Sequence, residues 1–373
     1  MKLKDKTKKK FKSNVCAIDL FCGAGGLTKG LEKSGIDVRL GIDVDTACEY
    51  PYSANNKASF LLKSVQDIEA EELEAAFASN KIRLLAGCAP CQTFSTYNQK
   101  AEKADADDHR WWLLLEFSRL VKELSPELVT MENVPGLLDY EIFDEFISDL
   151  KKEGYETSYK VVNCLDYGMP QQRQRLVLLA SKFGPIQVLP PNKHAKHKTV
   201  REAIGKFLPI KAGESCKKDA LHQSSALSAL NLKRIKASKP GGTWRDWDER
   251  LIAKCHKKSS GKTYQSVYGR MEWDKPAPTM TTQFFGFGNG RFGHPEQNRA
   301  ISLREGAILQ TFPRNYMFTT PGEPIHKKVL GRLIGNAVPV KLGEIIGKSI
   351  LKHVAEYDKT IKRNNTCKRS RRA

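Results

Sequence analysis

Residues 15–26, Val-Cys-Ala-Ile-Asp-Leu-Phe-Cys-Gly-Ala-Gly-Gly, constrain the fold more than any other stretch of the chain. The apolar run reads as a buried strand that enters a glycine turn, and Leu27 and Leu31 then recur at helical spacing. A strand, a turn and a helix in that order open an α/β fold. The turn is close to the dinucleotide fingerprint, but Thr28 stands where G-x-G-x-x-G has its third glycine, which disfavours a nicotinamide cofactor. A related turn holds a smaller adenosine ligand.

Further apolar runs end in polar residues, as expected of strands that deliver side chains to the carboxyl edge of a sheet. Residues 38–42 (Val-Arg-Leu-Gly-Ile) end at Asp43-Val44-Asp45, where an acid is placed to accept hydrogen bonds from a ribose or to cap the next helix. Leu84-Leu85-Ala86 leads to Pro90-Cys91-Gln92 and Phe94-Ser95, which puts a thiol where a nucleophile belongs. Leu128-Val129-Thr130-Met131 ends in Glu132-Asn133-Val134-Pro135-Gly136. Gln171-Gln172-Arg173-Gln174-Arg175 leads into Leu176–Ala180, so that two arginines on alternate positions share one face as a strand begins. Taken singly, either arginine is equally a surface ion-pair partner.

Cys88-Ala-Pro-Cys91 is formally a C-x-x-C, and spacing alone leaves a catalytic thiol, a buried structural cysteine and a redox pair open. No second C-x-x-C and no Cys/His pair at finger spacing accompanies it, so no metal site is expected.

Six blocks in order over residues 15–350 carry a resemblance: the glycine turn with Phe21, Pro90-Cys91-Gln92, Glu132-Asn133-Val134, the Gln-x-Arg-x-Arg run, Arg304-Glu305 and Gly335-Asn336-Ala337-Val338-Pro339. In these the chain resembles the cytosine-C5 DNA methyltransferases of the restriction-modification type. The resemblance implies a Rossmann-like, S-adenosylmethionine-dependent methyltransferase sheet with a second, smaller target-recognition domain. It implies methyl transfer to carbon 5 of a cytosine flipped out of a short duplex DNA site. Cys91 is expected to add to carbon 6, with Pro90 shaping its turn. Glu132 is expected to serve nitrogen 3, most effectively if partial burial raises its pKa. Arg175 is expected to hold the base's carbonyl oxygen, with Arg173 as its neighbour.

For S-adenosylmethionine, converted to S-adenosylhomocysteine, the resemblance assigns Phe21, Gly23, Ala24, Gly25 and Gly26 to the methionine and adenosine. Asp43 falls to the ribose, Asp67 and Ile68 to the adenine edge, with Val44, Pro90, Leu113 and Asn336 around them. Val44 replaces a tryptophan of some members, and Asp43 replaces the commoner glutamate. On the DNA side stand Gln92, Ser95 and Tyr97 of the loop after Cys91, Tyr97 filling the vacated stack, and Lys233, Arg234, Lys236 and Arg245 of the recognition segment. Residues 96–112 are expected to form a mobile loop that closes over the base. A tRNA-directed relative and a non-enzymatic DNA-binding relative are the alternatives. Intact Cys91, Glu132, Arg175 and Asn336 oppose the second, and the long basic recognition segment opposes the first.

Charge adds where a polyanion would be gripped. The net charge is +20, yet residues 13–192 carry −9 while 193–262 carry +12, 1–12 carry +6 and 359–373 carry +7. Double-stranded DNA is the expected partner, held by the 193–262 segment and the tails through phosphate contacts. Trp244-Arg245-Asp246-Trp247 interleaves aromatics that would suit groove or base contacts. The expected division is a basic arm over 1–12, a catalytic and cofactor-binding domain over 13–184, a loop-rich recognition domain over 185–295, a return to the catalytic domain over 296–358, and a disordered tail over 359–373. Ser302 is read as the N-cap of a helix through Leu309, and Val340–Val354 as the last helix. No apolar run is long enough to span a membrane, and the nine cysteines lack framework spacing. A monomer in the bacterial cytoplasm with the nucleoid, or in the nucleus of a eukaryote, is expected.

Overall fold

The computed structural model describes residues 14–79, 81–90, 112–192, 194 and 196–370. The first half alternates strands and helices: β1 (Val15–Leu20), α1 (Gly26–Ser34), β2 (Asp37–Asp43), α2 (Glu49–Asn55), β3 (Ser59–Leu62), α3 (Ala70–Ala76), β4 (Ile82–Gly87), α4 (Trp112–Leu124), β5 (Leu128–Asn133), α5 (Glu141–Lys152), β6 (Glu156–Asn163) and β7 (Gln174–Ser181). They build a seven-stranded sheet in the order β3-β2-β1-β4-β5-β7-β6. Parallel pairing runs from β3 through β5, and β7 is antiparallel to both of its neighbours. That reversal decides which residues meet at one edge. The carboxyl ends of β1, β2, β4 and β5 lie on one edge, and antiparallel β7 brings its first residues to the same edge, with Glu132 opposite Val177 and Asn133 opposite Leu176.

The central strands are buried along their whole length because helices cover both faces, so alternation is replaced by continuous apolar runs. One face packs Ile18, Leu20, Leu85 and Met131 against α4 and α5 through Phe117, Leu120, Phe143 and Phe146. The other packs Val15, Ala17, Leu84 and Leu128 with Leu27 and Leu31 of α1 and Leu342, Ile346 and Ile350 of α11 (Val340–Ser370).

After β7 come α6 (Val200–Ile204), the hairpin of β8 (Ser215–Cys216) and β9 (Asp219–Gln223), α7 (Ala229–Ala237), α8 (Lys254–Lys257), α9 (Leu303–Leu309) and α10 (Lys327–Asn336). Ser302 caps α9 as expected: its hydroxyl accepts from the Glu305 amide, while the Glu305 carboxylate accepts from the Ser302 amide. Val200, Ile204, Leu221, Met271, Met280 and Phe284 share one core with α9 and α10, so much of the 185–295 segment packs on the returning C-terminal helices. A separate small core holds Ile235, Trp244, Trp247, Phe287 and Ala300. Trp244 and Trp247 are therefore buried scaffold and not groove-facing aromatics. Each indole N–H is bonded inside the module, to Tyr264 O and to Ser238 Oγ.

The last helix is longer than the apolar periodicity suggests. It continues from Val340 to Ser370, past Lys359, where the basic composition reads as unstructured. Residues 355–370 contain neither proline nor glycine, so nothing in the chain terminates the helix, and a basic C-terminus suits its dipole.

The contact between α1 and α11 depends on glycine. A β-carbon on Gly30 would stand 2.5 Å from Val340 O and 2.6 Å from Glu344 N, both backbone atoms that cannot swing aside. Gly30→Ala is accordingly expected to lower the unfolding free energy by about 1–3 kcal/mol, the range for overpacking. Urea unfolding checks it, and an unchanged midpoint would contradict the packing described.

Candidate functional site

The glycine turn after β1 is set by backbone that only special residues tolerate. Phe21, Gly23 and Gly25 have φ of 57°, 53° and 83°, so three left-handed residues fold the chain back over the strand end. Gly26 has a different reason: a β-carbon there would stand 2.2 Å from Val338 O. That close approach lays the Ala337-Val338 segment against the turn, directly after Asn336, the exposed last residue of α10.

Beneath the turn lies Asp19, an acid to which the sequence motifs assign no role. Its Oδ2 accepts from the Thr28 amide at 3.1 Å and the Thr28 hydroxyl at 2.6 Å, while Oδ1 is buried without a hydrogen-bond partner among the described residues. Thr28 is thus explained: its hydroxyl fastens α1 to the end of β1, where a third glycine could not. Burial pushes the Asp19 carboxyl up to about 7 against those two bonds.

At the end of β2, Asp43 accepts from the amides of Gly23 at 2.8 Å and Asp45 at 2.9 Å, and burial pushes its carboxyl above the usual range. Asp45 caps the following turn through the Ala47 amide and pairs with Arg332 of α10. The cap therefore falls to Asp45, while both Asp43 oxygens bind the backbone amides of the two turns. Val44, between them, is 71 % exposed, an apolar surface left uncovered by the described residues. Ile68 is buried beside Asp67, Leu113 is half-buried in the first turn of α4, and space lies open where a Gly23 side chain would project. An open glycine turn, a buried acid and an exposed apolar residue on one sheet edge fit an adenosine ligand carrying a methionine chain. No helix among the described residues is long and apolar enough to cross a membrane, and no cluster there could hold a metal ion.

The second half of the site gathers on β4, β5 and β7. Glu132, 2 % exposed, is contacted at both carboxylate oxygens: Arg175 Nε stands 2.9 Å from Oε1, and the Cys88 thiol donates to Oε2 at 2.9 Å. Next to it, Asn133 Nδ2 donates to Ala89 O at 3.2 Å. Two consecutive residues of β5 thus hold two consecutive residues of the chain leading to exposed Pro90. Cys91, Gln92, Ser95, Tyr97 and the remainder of 96–111 lie outside the described residues, and Trp112 opens α4.

Arg173 does not share Arg175's surroundings. It is buried, and its guanidinium donates to Met280 O at 2.9 Å and Gly335 O at 3.1 Å. Burial, and then the neighbouring Arg175, bring it down to about 9. Gln171, also unassigned by sequence, donates to Leu309 O at 3.0 Å and accepts from Met280 N at 3.1 Å, while Gln310 donates to Ile334 O at 2.8 Å. Alternation does place Arg173 and Arg175 on one face, but the face is covered at Arg173 by the 277–280 segment. Arg304 is likewise occupied, with Asp219 and Tyr316 O.

Of the basic candidates, Lys233, Lys236 and Arg245 are exposed, although Arg245 also donates to Lys262 O. Arg234 is 9 % exposed and donates to Leu251 O and to Asn231 Oδ1 of its own helix, with its guanidinium over the Tyr268 ring. It is a packing residue, because a helical residue one step from Lys233 turns toward the small core.

Asp19 gives the site a pH signature. A carboxyl raised in the fold contributes stability that is full below its unfolded value of about 3.9 and is lost as pH rises through the folded value. Wild type should therefore lose stability relative to Asp19→Asn between about pH 4 and about pH 7, measured by urea unfolding. Parallel pH profiles for the two proteins would contradict it.

Comparison with known proteins gives the family and the fold. The profile of the C-5 cytosine-specific DNA methylases matches residues 15–352. The Type II methylase M.HgiDII of Herpetosiphon aurantiacus is 52 % identical over 337 residues, 89 % of this chain and 94 % of that protein. The Type II methyltransferase M.Eco47II of Escherichia coli is 31 % identical, covering 92 % and 80 %. Among solved structures, a DNA modification methyltransferase encoded within an E. coli prophage superposes with a TM-score of 0.70 at 23 % identity, covering 91 % of this chain and 99 % of that one. The Entamoeba histolytica methyltransferase EhMeth superposes at 0.66 and 18 % identity, covering 91 % and 98 %. The seven-stranded sheet is thus the methyltransferase sheet that the sequence resemblance implied, and this chain, a DNA (cytosine-5-)-methyltransferase, belongs to the C-5 cytosine-specific DNA methylase family.

Proposed function

We propose that this enzyme modifies one cytosine in a short duplex DNA site, as the methylating partner of a restriction enzyme, through a transient bond between Cys91 and carbon 6 of a base turned out of the helix. The observation that carries the reading is Glu132, buried between Arg175 and Cys88 at the end of the strand whose next residue anchors the peptide before Pro90-Cys91.

Carbon 5 of cytosine is a poor nucleophile until something adds to carbon 6. The Cys91 sulfur, as thiolate, supplies that electron pair, which moves through the ring toward nitrogen 3. Glu132 shares a proton with nitrogen 3 as that charge develops, and Arg175 donates to the carbonyl oxygen. S-adenosylmethionine, when bound by the glycine turn, Asp43 and Val44, supplies the electrophilic methyl group that carbon 5 takes. Loss of the carbon 5 proton to a base then returns the electron pair and expels the Cys91 thiolate. None of these atoms is reachable inside a stacked duplex, hence the turned-out base.

Duplex DNA synthesised with 5-fluorodeoxycytidine throughout, incubated with enzyme and S-adenosylmethionine, should yield a denaturant-resistant protein–DNA adduct, because fluorine cannot leave as a proton does. Cys91→Ala should form none. An adduct in that variant, or none with wild type, would contradict the mechanism.

Phosphate binding is assigned to the basic segment 193–262, through its exposed lysines. Lys233→Ala with Lys236→Ala should weaken binding to any duplex and flatten the log-log salt dependence by roughly one unit for each phosphate no longer neutralised. Arg234→Ala should instead lower stability, by removing the guanidinium that joins α7 to Leu251. An unchanged salt slope in the lysine variant would move the DNA grip elsewhere.

A further inference from the structure

Among the described residues, Cys88 is the thiol that touches the acid at the centre of the site, and it is half-buried there. It stands one residue beyond β4, its backbone amide donates to Leu20 O at 3.3 Å, and Asn133 holds the next carbonyl, so its side chain has a fixed origin. From there its S–H reaches Glu132 Oε2 at 2.9 Å, on the oxygen opposite the one that Arg175 contacts. Three strand ends, β4, β5 and β7, thus each contribute one member of a Cys88–Glu132–Arg175 cluster. A carboxylate contacted by one donor can still rotate about its last bond. With the Cys88 hydrogen bond at Oε2 and the Arg175 charge beside Oε1, its plane is held, and Oε1, which accepts no hydrogen bond among the described residues, is left for a substrate.

We propose that Cys88 is a positioning residue for methyl transfer: its thiol fixes the plane of the Glu132 carboxylate so that the edge left open faces the base. The proposal rests on the reading of Glu132 given above. It also offers a use for the first cysteine of the C-x-x-C that needs neither a metal nor a redox partner. The requirement is a hydrogen-bond donor of short reach, which a hydroxyl also meets and a methyl group does not.

The test is the rate of methyl transfer to unmethylated bacteriophage DNA, with tritiated-methyl S-adenosylmethionine, for variants at Cys88 and Glu132. Cys88→Ala and Cys88→Val, the second keeping volume without a donor, should each lower kcat by about tenfold, as expected for one lost bond to a charged group. KM for DNA and for S-adenosylmethionine should stay within about twofold, because the thiol acts through Glu132. Cys88→Ser should recover kcat to within about threefold of wild type. Adding Cys88→Ala to Glu132→Gln should cost nothing further, since the group being positioned is already disabled. Full activity in Cys88→Ala beside a slow Glu132→Gln would overturn the positioning role alone. Full activity in Glu132→Gln would instead overturn the assignment of Glu132 on which it rests. A Cys88→Ser variant as slow as Cys88→Ala, or a rise in KM with kcat unchanged, would also overturn the proposal.

Discussion

Burying a carboxyl group at the end of a central strand is costly unless a charge or a donor stands beside it. At Glu132 an ion pair with Arg175 and a hydrogen bond from Cys88 offset that cost, while Oε1 accepts no hydrogen bond among the described residues. Arg175 comes from a strand that runs against its neighbours, which is what places its guanidinium at an edge otherwise made of strand C-termini. Cys88 comes from β4, and Asn133, the next residue on β5, fastens the loop that follows Cys88. An all-parallel sheet would put the start of β7 at the opposite edge and leave Glu132 without its arginine. The reversed strand is therefore what brings Arg175 and Glu132 together at one edge.

Hydrogen bonds from buried side chains join the C-terminal helices to the sheet. Gln171, Arg173 and Gln310 direct their polar atoms to carbonyls of residues 280, 309, 334 and 335, in the segment before α9, at the end of α9 and at the end of α10. Farther out, Arg299 and Glu305 form a bidentate pair at 2.7 and 2.8 Å with both side chains fully buried. Burial pushes Glu305 up, but Arg299 overrides it and holds the carboxyl down at about 2. Stability from this pair is present above the ordinary carboxylate range and is lost only as pH falls through that value. Removing either partner leaves a buried charge alone, the destabilising outcome for such pairs. This network ties the start of β7 to α9 and α10, while Ile235, Trp244, Trp247, Phe287 and Ala300 form a small core apart from it.

Much of this was legible in the residues. The runs at 15–20, 84–86, 128–131 and 176–180 are strands because apolar residues without a polar face can only be buried on both sides. The polar residues that end them gather at one place because those strand ends lie on one sheet edge. What was not legible depended on partners distant in sequence. Arg173 and Arg175 look alike in the chain, and only the covering segment at Met280 makes the first structural. Trp244 and Trp247 read as surface aromatics until the small core is seen around them. Asp19 did leave a signal, an acid inside an apolar run, and Cys88 left the C-x-x-C. Neither named its partner, because Thr28 and Glu132 are brought near by folding.

The central claim is that the residues at this edge open carbon 5 of cytosine to a methyl group, and the hydrogen on that carbon reports it directly. With duplex DNA tritiated at carbon 5 of its cytosines and S-adenosylmethionine labelled with carbon-14 in its methyl group, tritium release and methyl incorporation can be followed together. The account predicts one tritium released to water for each methyl group gained. Methyl incorporation without tritium release would place the transfer on another atom of the DNA and contradict it.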